Sequence, residues 1–352
     1  MREFGSEFAS LVLPDTYFSL INSKFRDFIY LRSGRDGLGV VAQNIKSDRK
    51  CILLPAYCCD SMVYPFTRNG WEIHYYSLEM DLTVNLVSLK AAIDIHAPIA
   101  ILFMNYFGIA PTAMVINEIK EYSNDIVIIE DFTHCLFDIH DIYNEHVDYY
   151  VSSIRKWIGI NDGAIVLSKH LIERKPVYVE NDFVNIRTKA QNVKRRYLTT
   201  GNIEDKKIYR TALRRAEQCL EEDIHIVGMS TDSMRLLYLL NSSEIKNQRR
   251  QNYFHLLELI KDINSISFPI NVSKVCTPFA LPIEVNNRDG VQRELADRNL
   301  YAPVLWPLGD EARSICVVSA RMADNMLAIP IDQRYDYDDI EEISKILHSV
   351  LV

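Results

Sequence analysis

The sequence predicts an α/β fold, with a large domain on a mostly parallel mixed sheet and a smaller α+β domain at the C-terminus. Three observations carry this reading. Short, nearly all-apolar runs alternate with segments of helical period through the first half of the chain, the pattern of strands covered on both faces. Beyond about residue 170 the strands give way to charged helical stretches. The length, 352 residues, is about two domains' worth of chain. The division is drawn as residues 1–240 for the large domain with its N-terminal arm and 241–352 for the small one.

The elements follow in order. Residues 1–30 are aromatic-rich without clear period and read as an arm or short elements that pack elsewhere. Residues 36–44 have apolar side chains at helical spacing, and 51–54 is a short buried run stopped by Pro55. Residues 60–67 read as a helix despite Pro65, with Asn69-Gly70 as its stop. Strands are expected at 71–76, 99–104, 126–129, 149–153 and 164–167, with helices at 86–95 and 113–122 between them. Residues 187–264 read as almost wholly helical. From Phe279 come a strand, a helix at 289–300, a loop with Trp306-Pro307 and a terminal helix at 337–350.

Composition narrows the function. Against 39 basic residues stand 47 acidic ones, a net charge of −8, which is not the basic surplus of a nucleic-acid binder. The seven cysteines are odd in number and include no CxxC pair, so neither a disulfide framework nor zinc is expected. No basic segment followed by an apolar one opens the chain. Residues 97–117 are uncharged and long enough to span a bilayer, but Pro98, Asn105, Gly108 and Pro111 break them into separate elements. A cytoplasmic protein acting on a small molecule, without membrane or metal, is expected. The absence of GxGxxG and GxxxxGK[ST] disfavours dinucleotide and P-loop chemistry.

Three spots carry chemistry. Ser33-Gly34-Arg35-Asp36-Gly37 opens a helix, where exposed N–H groups and the macrodipole favour an anion such as phosphate. A plain helix cap has the same look. The strand Ile126–Ile129 ends in Glu130-Asp131, at the strand tip where α/β proteins place ligands, and where an Asp can equally cap the next helix. Lys156 lies between two apolar strands beside Ser152, Ser153 and Trp157, as a solvated loop lysine also could. Together the three meet the needs of pyridoxal phosphate: an anion site, a carboxylate to keep the pyridine nitrogen protonated, and an amine for a Schiff base.

In this order and spacing the chain resembles the DegT/StrS family of sugar aminotransferases, fold-type I pyridoxal phosphate enzymes. Ser33–Leu38 resembles the family's SGTxAL turn and Leu54-Pro55-Ala56-Tyr57 its VPS[FY] loop. Asn105-Tyr106-Phe107-Gly108 lies where the family has HxYG, and Glu130-Asp131-Phe132-Thr133-His134 resembles EDAA[QH]. Lys156-Trp157-Ile158-Gly159 with Asp162–Val166 resembles the lysine loop KNLG…EGGAV, and the likeness resumes in Trp306-Pro307-Leu308 and Ile329-Pro330-Ile331.

The resemblance implies roles. Lys156 would be the Schiff-base lysine and proton shuttle, Asp131 the partner of the pyridine nitrogen, and His134 the neighbour of the ring hydroxyl. Gly34, Arg35 and Asp36 would offer N–H groups to the phosphate, and Ser152 or Ser153 a hydroxyl, although the family's serine slot is Val151 here. Cys59 stands where the family has its ring-stacking aromatic, with Tyr57 the nearest alternative. Asn185, in a stretch loosely similar to GYNYR, would reach the cofactor of a partner subunit, which implies a homodimer with shared sites. The implied reaction moves an amino group from a donor such as glutamate, through the pyridoxamine form, to a keto acceptor of the nucleotide-linked keto-sugar class. The rewritten stretch after residue 187 leaves open a lyase, racemase or acyl transferase on the same scaffold, and the loss of the aromatic at Cys59 leaves open a non-catalytic ligand-binding protein. Arg187, Arg195, Arg196 and Arg321 are candidate anion contacts or solvated surface charges.

Overall fold

Seven strands form the central sheet of the computed structural model, which describes residues 3–7, 24–269 and 276–352. They are β1 (Asp27–Leu31), β2 (Cys51–Pro55), β3 (Glu72–Tyr76), β4 (Ala100–Met104), β5 (Val127–Asp131), β6 (Tyr149–Ser152) and β7 (Ala164–Ser168), in the spatial order β1-β7-β6-β5-β4-β2-β3. The pairs from β3 across to β6 are parallel, and β7 runs antiparallel to both β6 and β1. Strands β2, β4 and β7 are buried at every position, which is why they read as unbroken apolar runs.

Helices α1 (Gly34–Asn44), α2 (Asp60–Thr67), α3 (Leu86–His96) and α4 (Ala113–Tyr122) connect the first strands, and a short α5 (Ile139–Ile142) precedes β6. Buried Leu38, Val40 and Val41 fix α1 to the sheet, each contributing about 1.5–3 kcal/mol of burial. After β7 come α6 (Asp182–Thr200), α7 (Ile203–Glu222), α8 (Thr231–Tyr238) and α9 (Ser242–Ile260).

A second core joins α9 to a three-stranded antiparallel sheet of β8 (Ile266–Ser267), β9 (Leu281–Val285) and β10 (Met326–Ile329). Helices α10 (Arg288–Asp297), α11 (Asp310–Ile315), α12 (Val317–Asn325) and α13 (Tyr337–Leu351) complete this part. Phe4 belongs to the same core, held by backbone hydrogen bonds to Asn299 and Tyr301. No helix among the described residues is long and apolar enough to cross a membrane.

Two sequence expectations are sharpened. Residues 27–30, within the stretch read as an arm or short elements, form with Leu31 an edge strand; Ile29, Tyr30 and Leu31 are buried in register with β7, and β-forming Phe, Ile and Tyr were the signal. The rest of the expected arm between residues 8 and 23 lies outside the described residues. The stretch 187–264 is mostly helical, as expected, but it is broken into α6 to α9 with an extended segment after α7. The chain leaves the sheet region at Val177, forms the α6–α7 hairpin, and returns in extended form, where Gly228 N–H donates to Val177 O (3.1 Å) and Arg32 N–H to Val227 O (3.0 Å). The hairpin carries small cores of its own, one around Phe183 and Leu220 and one around Tyr197 and Tyr209.

Candidate active site

At the carboxyl ends of β4, β5 and β6 lies a cavity of about 230 Å³. Each wall comes from a different part of the chain. The start of α1 supplies Ser33, Gly34 and Arg35; β5 and the turn after it supply Asp131 and Thr133. The turn after β6 gives Ser153, Arg155 and Lys156. Cys59 and Ser61 come from the start of α2, Trp306 from the loop before α11, and Glu217 and Leu220 from α7. Residues more than a hundred positions apart thus face one space.

The start of α1 turns free N–H donors toward the cavity and forms a cradle of a shape an anion could take. Ser33 caps the helix, its Oγ accepting from Asp36 N–H (3.2 Å) and donating to Asp36 Oδ2 (2.6 Å). The Asp36 carboxylate is also paired with Arg32 (2.9 Å). The Asp36 N–H is therefore already used, and the first-turn donors left for an anion are those of Gly34 and Arg35. A Cβ at Gly34 would sit 3.3 Å from Ser153 Cβ, a tight contact that would press on the cavity wall. Arg35 Nε and Nη1 are buried without a hydrogen-bond partner among the described residues. Burial lowers the Arg35 pKa, Glu221 and Glu217 oppose this, and Arg155 adds to it. A doubly charged anion bonded here would satisfy these orphaned donors.

Asp131 closes the other side. Its Oδ1 accepts from Thr133 N–H (2.8 Å), and burial raises its carboxyl above the ordinary range while the Lys156 charge pulls it back. Lys156 is exposed to the cavity on the turn Ile154–Lys156. Ser153 lines the cavity with its backbone held by Thr133 Oγ1 (3.0 Å), whereas the Ser152 hydroxyl is buried behind it without a partner among the described residues.

Other expected residues lie elsewhere. Tyr57 does not line the cavity; it is fully buried, donates to Leu305 O (2.8 Å) and meets Trp306 edge-on at 4.9 Å. Trp306 is the aromatic side chain that lines the cavity among the described residues, in a left-handed conformation (φ 55°) uncommon for a non-glycine. His134 is fully buried and stacked on Phe279 (4.2 Å), with its Nδ1 accepting from Phe107 N–H (3.1 Å). Burial keeps its imidazole neutral, helped by the Lys156 charge. Asn185 sits on α6 and donates to Glu180 (3.1 Å), away from the cavity.

None of the four arginines named as anion contacts lines the cavity either. Arg187 is buried against Glu7, Glu217 and Asn161 O; Arg196 pairs with Asp205, Arg321 with Glu284, and Arg195 is exposed on α6. Sequence reasoning missed Arg155, Glu217, Thr133 and Trp306. Thr133, Trp306 and Arg155 stood inside or beside the informative stretches, and Glu217 had no local signal.

No family model and no curated protein matches the sequence. Solved structures do match its fold. One is a DegT DnrJ EryC1 StrS aminotransferase from Brucella abortus, 14% identical, covering 93% of this chain and 86% of that one with a TM-score of 0.63. Another is Helicobacter pylori PseC, an aminotransferase of pseudoaminic acid biosynthesis, 11% identical, covering 99% of each chain with a TM-score of 0.68. A third is NtdA from Bacillus subtilis with bound cofactor PMP, 13% identical, covering 93% of this chain and 74% of that one with a TM-score of 0.64. The chain has the fold of these aminotransferases.

Proposed function

We propose that the protein is a pyridoxal phosphate-dependent aminotransferase that carries an amino group from an amino acid, glutamate in the first instance, to a keto acceptor of the nucleotide-linked keto-sugar class. The observation that carries this reading is the meeting of Lys156, Asp131 and the α1 cradle in one cavity. The donor set fits the cofactor: an amine, a buried carboxylate, and unpartnered guanidinium nitrogens at a helix start. The fold, shared with aminotransferases that include one holding PMP, points the same way.

Bound there, the cofactor would supply the electron sink that makes the substrate's α-carbon acidic. Gly34, Arg35 and Ser153 would hold its phosphate. Asp131 would keep a proton on the pyridine nitrogen, which a buried carboxylate does well because each charge relieves the other's desolvation. Lys156 would bond the aldehyde carbon and, once released, move a proton at the substrate's α-carbon. Trp306 would pack against the ring in place of the missing aromatic at Cys59, and the buried His134 would support Trp306 from behind. A cytoplasmic homodimer completes the reading, supported by the family resemblance of the sequence.

The test is spectroscopic. The purified protein with added cofactor should show the visible band of a lysine-bound cofactor, lost in Lys156→Ala, and glutamate should bleach it. No band in the unmutated protein would sink the proposal. A second reading, another amino-acid reaction on the same scaffold, draws on the entry of α7 into the cavity. It predicts that some amino acid is consumed while glutamate never bleaches the band.

A further inference from the structure

We infer that Arg155 is the receptor for a substrate carboxylate and that Glu217 is its built-in, displaceable counter-ion, an inference that rests on the transamination reading above. Arg155 precedes the lysine and lines the same cavity. Its side chain is 15% exposed and lies over the Phe183 ring at 5.4 Å. Its Nη2 donates to Glu217 Oε2 at 2.9 Å, while its Nε is buried without a partner among the described residues. A guanidinium presents Nε and Nη2 as one planar fork that matches the two oxygens of a carboxylate. Here half of that fork is vacant and the other half is held by a single oxygen. A carboxylate that takes both must displace Glu217.

The structure makes that displacement cheap. Glu217 is 41% exposed at the edge of α7, and its other oxygen lies 3.4 Å from Arg187 Nη1. Arg187 is itself fixed by Asn161 O (2.7 Å) and by Glu7. Glu217 leaving Arg155 therefore keeps a cation, and no charge is stranded. Burial pushes the Glu7 carboxyl up, but Arg187 and Arg155 outweigh it and hold it at about 2, so this arm of the network stays anionic.

The chemistry of the ligand follows. An amino acid presents its amine to Lys156 with a carboxylate on the adjacent carbon, and Arg155 is the neighbouring residue in the chain. A keto-sugar presents no carboxylate at the reacting carbon. When such an acceptor enters, Glu217 re-pairs with Arg155 and spares the site a bare buried cation. The masked arginine lets one cavity serve a charged donor and then an uncharged acceptor.

The experiment titrates cofactor-loaded protein with succinate, a dicarboxylate with no amine to transfer, by calorimetry. Arg155→Gln should weaken succinate binding about tenfold or more, with Arg155→Lys in between, because a point charge replaces a fork. Glu217→Gln should tighten it about three- to tenfold, since the internal competitor is gone. A purely structural role for Glu217 would weaken binding instead. Cofactor affinity, read from the visible band, should be unchanged in all three. Succinate binding unchanged in Arg155→Gln, or unchanged or weaker in Glu217→Gln, overturns the inference. So does a loss of cofactor affinity in Arg155→Gln, which would assign Arg155 to the phosphate. Should the unmutated protein bind no cofactor, the transamination reading fails, and the same titration on cofactor-free protein still decides whether the masked arginine binds carboxylates.

Discussion

Glu130 precedes Asp131 on β5 but faces away from the cavity, and its burial carries a penalty that can be measured. Its Oε1 accepts from Thr112 Oγ1 at 2.6 Å, and its Oε2 is buried without a partner among the described residues. Burial, with Asp131 adding to it, pushes its pKa from the ordinary 4.5 up to about 7. Below pH 4.5 the group is neutral in both folded and unfolded chains and costs nothing. Between the two values the unfolded chain ionises first, so unfolding releases a proton and stability falls as pH rises. Above pH 7 the full penalty applies, about 3 kcal/mol at about 1.4 kcal/mol per pH unit between the two values. Glu130→Gln keeps the acceptor for Thr112 and cannot ionise. Denaturant melts of both proteins at pH 5 and pH 8 should give a variant about 0.7 kcal/mol more stable at pH 5 and about 3 kcal/mol more stable at pH 8. Other titrating groups are common to both proteins and cancel. A difference that does not grow with pH would refute the argument from burial.

Three further outcomes are expected. Arg35→Gln should weaken cofactor binding about 10- to 100-fold, the loss of charged hydrogen bonds worth about 1.5–3 kcal/mol, read by titrating the visible band; equal affinity would remove Arg35 from the phosphate site. Gly108→Ala should cost about 2 kcal/mol or more, because Gly108 has φ 74° and a Cβ would sit 2.6 Å from Thr277 O and 2.8 Å from His134 O. A denaturation midpoint that does not move would contradict that. Trp306→Ala should lose about 3–5 kcal/mol as a buried aromatic, while Trp306→Phe loses less and keeps cofactor affinity, checked by melts and by the same titration.

The parts of the site that were legible in the sequence are those whose position is fixed by the next few residues. Asp131 ends a buried strand, Lys156 sits on the turn of the following one, and Gly34 starts a helix capped by Ser33; strand tip, turn and cap each leave a local pattern. Tyr57 and His134 sat in the quoted motifs but do not line the cavity, because their orientation is decided by distant groups: Leu305 O for the phenol, Phe279 and Trp306 for the imidazole. Asn185 matched a loose motif and lies on α6, outside its own chain's cavity, as a residue read to reach a partner's cofactor would. Glu217 was out of reach altogether. It meets Arg155 across 62 positions, through the return of a helical hairpin that no local spacing announces. The edge strand β1 was missed for the related reason that its partner, β7, lies more than a hundred residues on.

The hydrogen bond from Gly228 to Val177 closes the α6–α7 hairpin into a loop inserted in the sheet-forming part of the chain. Its two ends meet at one point, so a short turn could join them, and swapping a loop of about fifty residues for one of about four changes closure entropy by only about 2 kcal/mol. The sheet would keep every strand partner, while the side of the cavity that holds Glu217 and Leu220 would vanish, together with the bonds that Arg187 and Gln191 make to Asn161 O and Ile160 O beside the lysine turn. The groups proposed to hold the cofactor and the Glu217 side of the cavity are in this sense carried on separate stretches of chain. One could be exchanged for another hairpin of different charge without re-registering a single strand of the other.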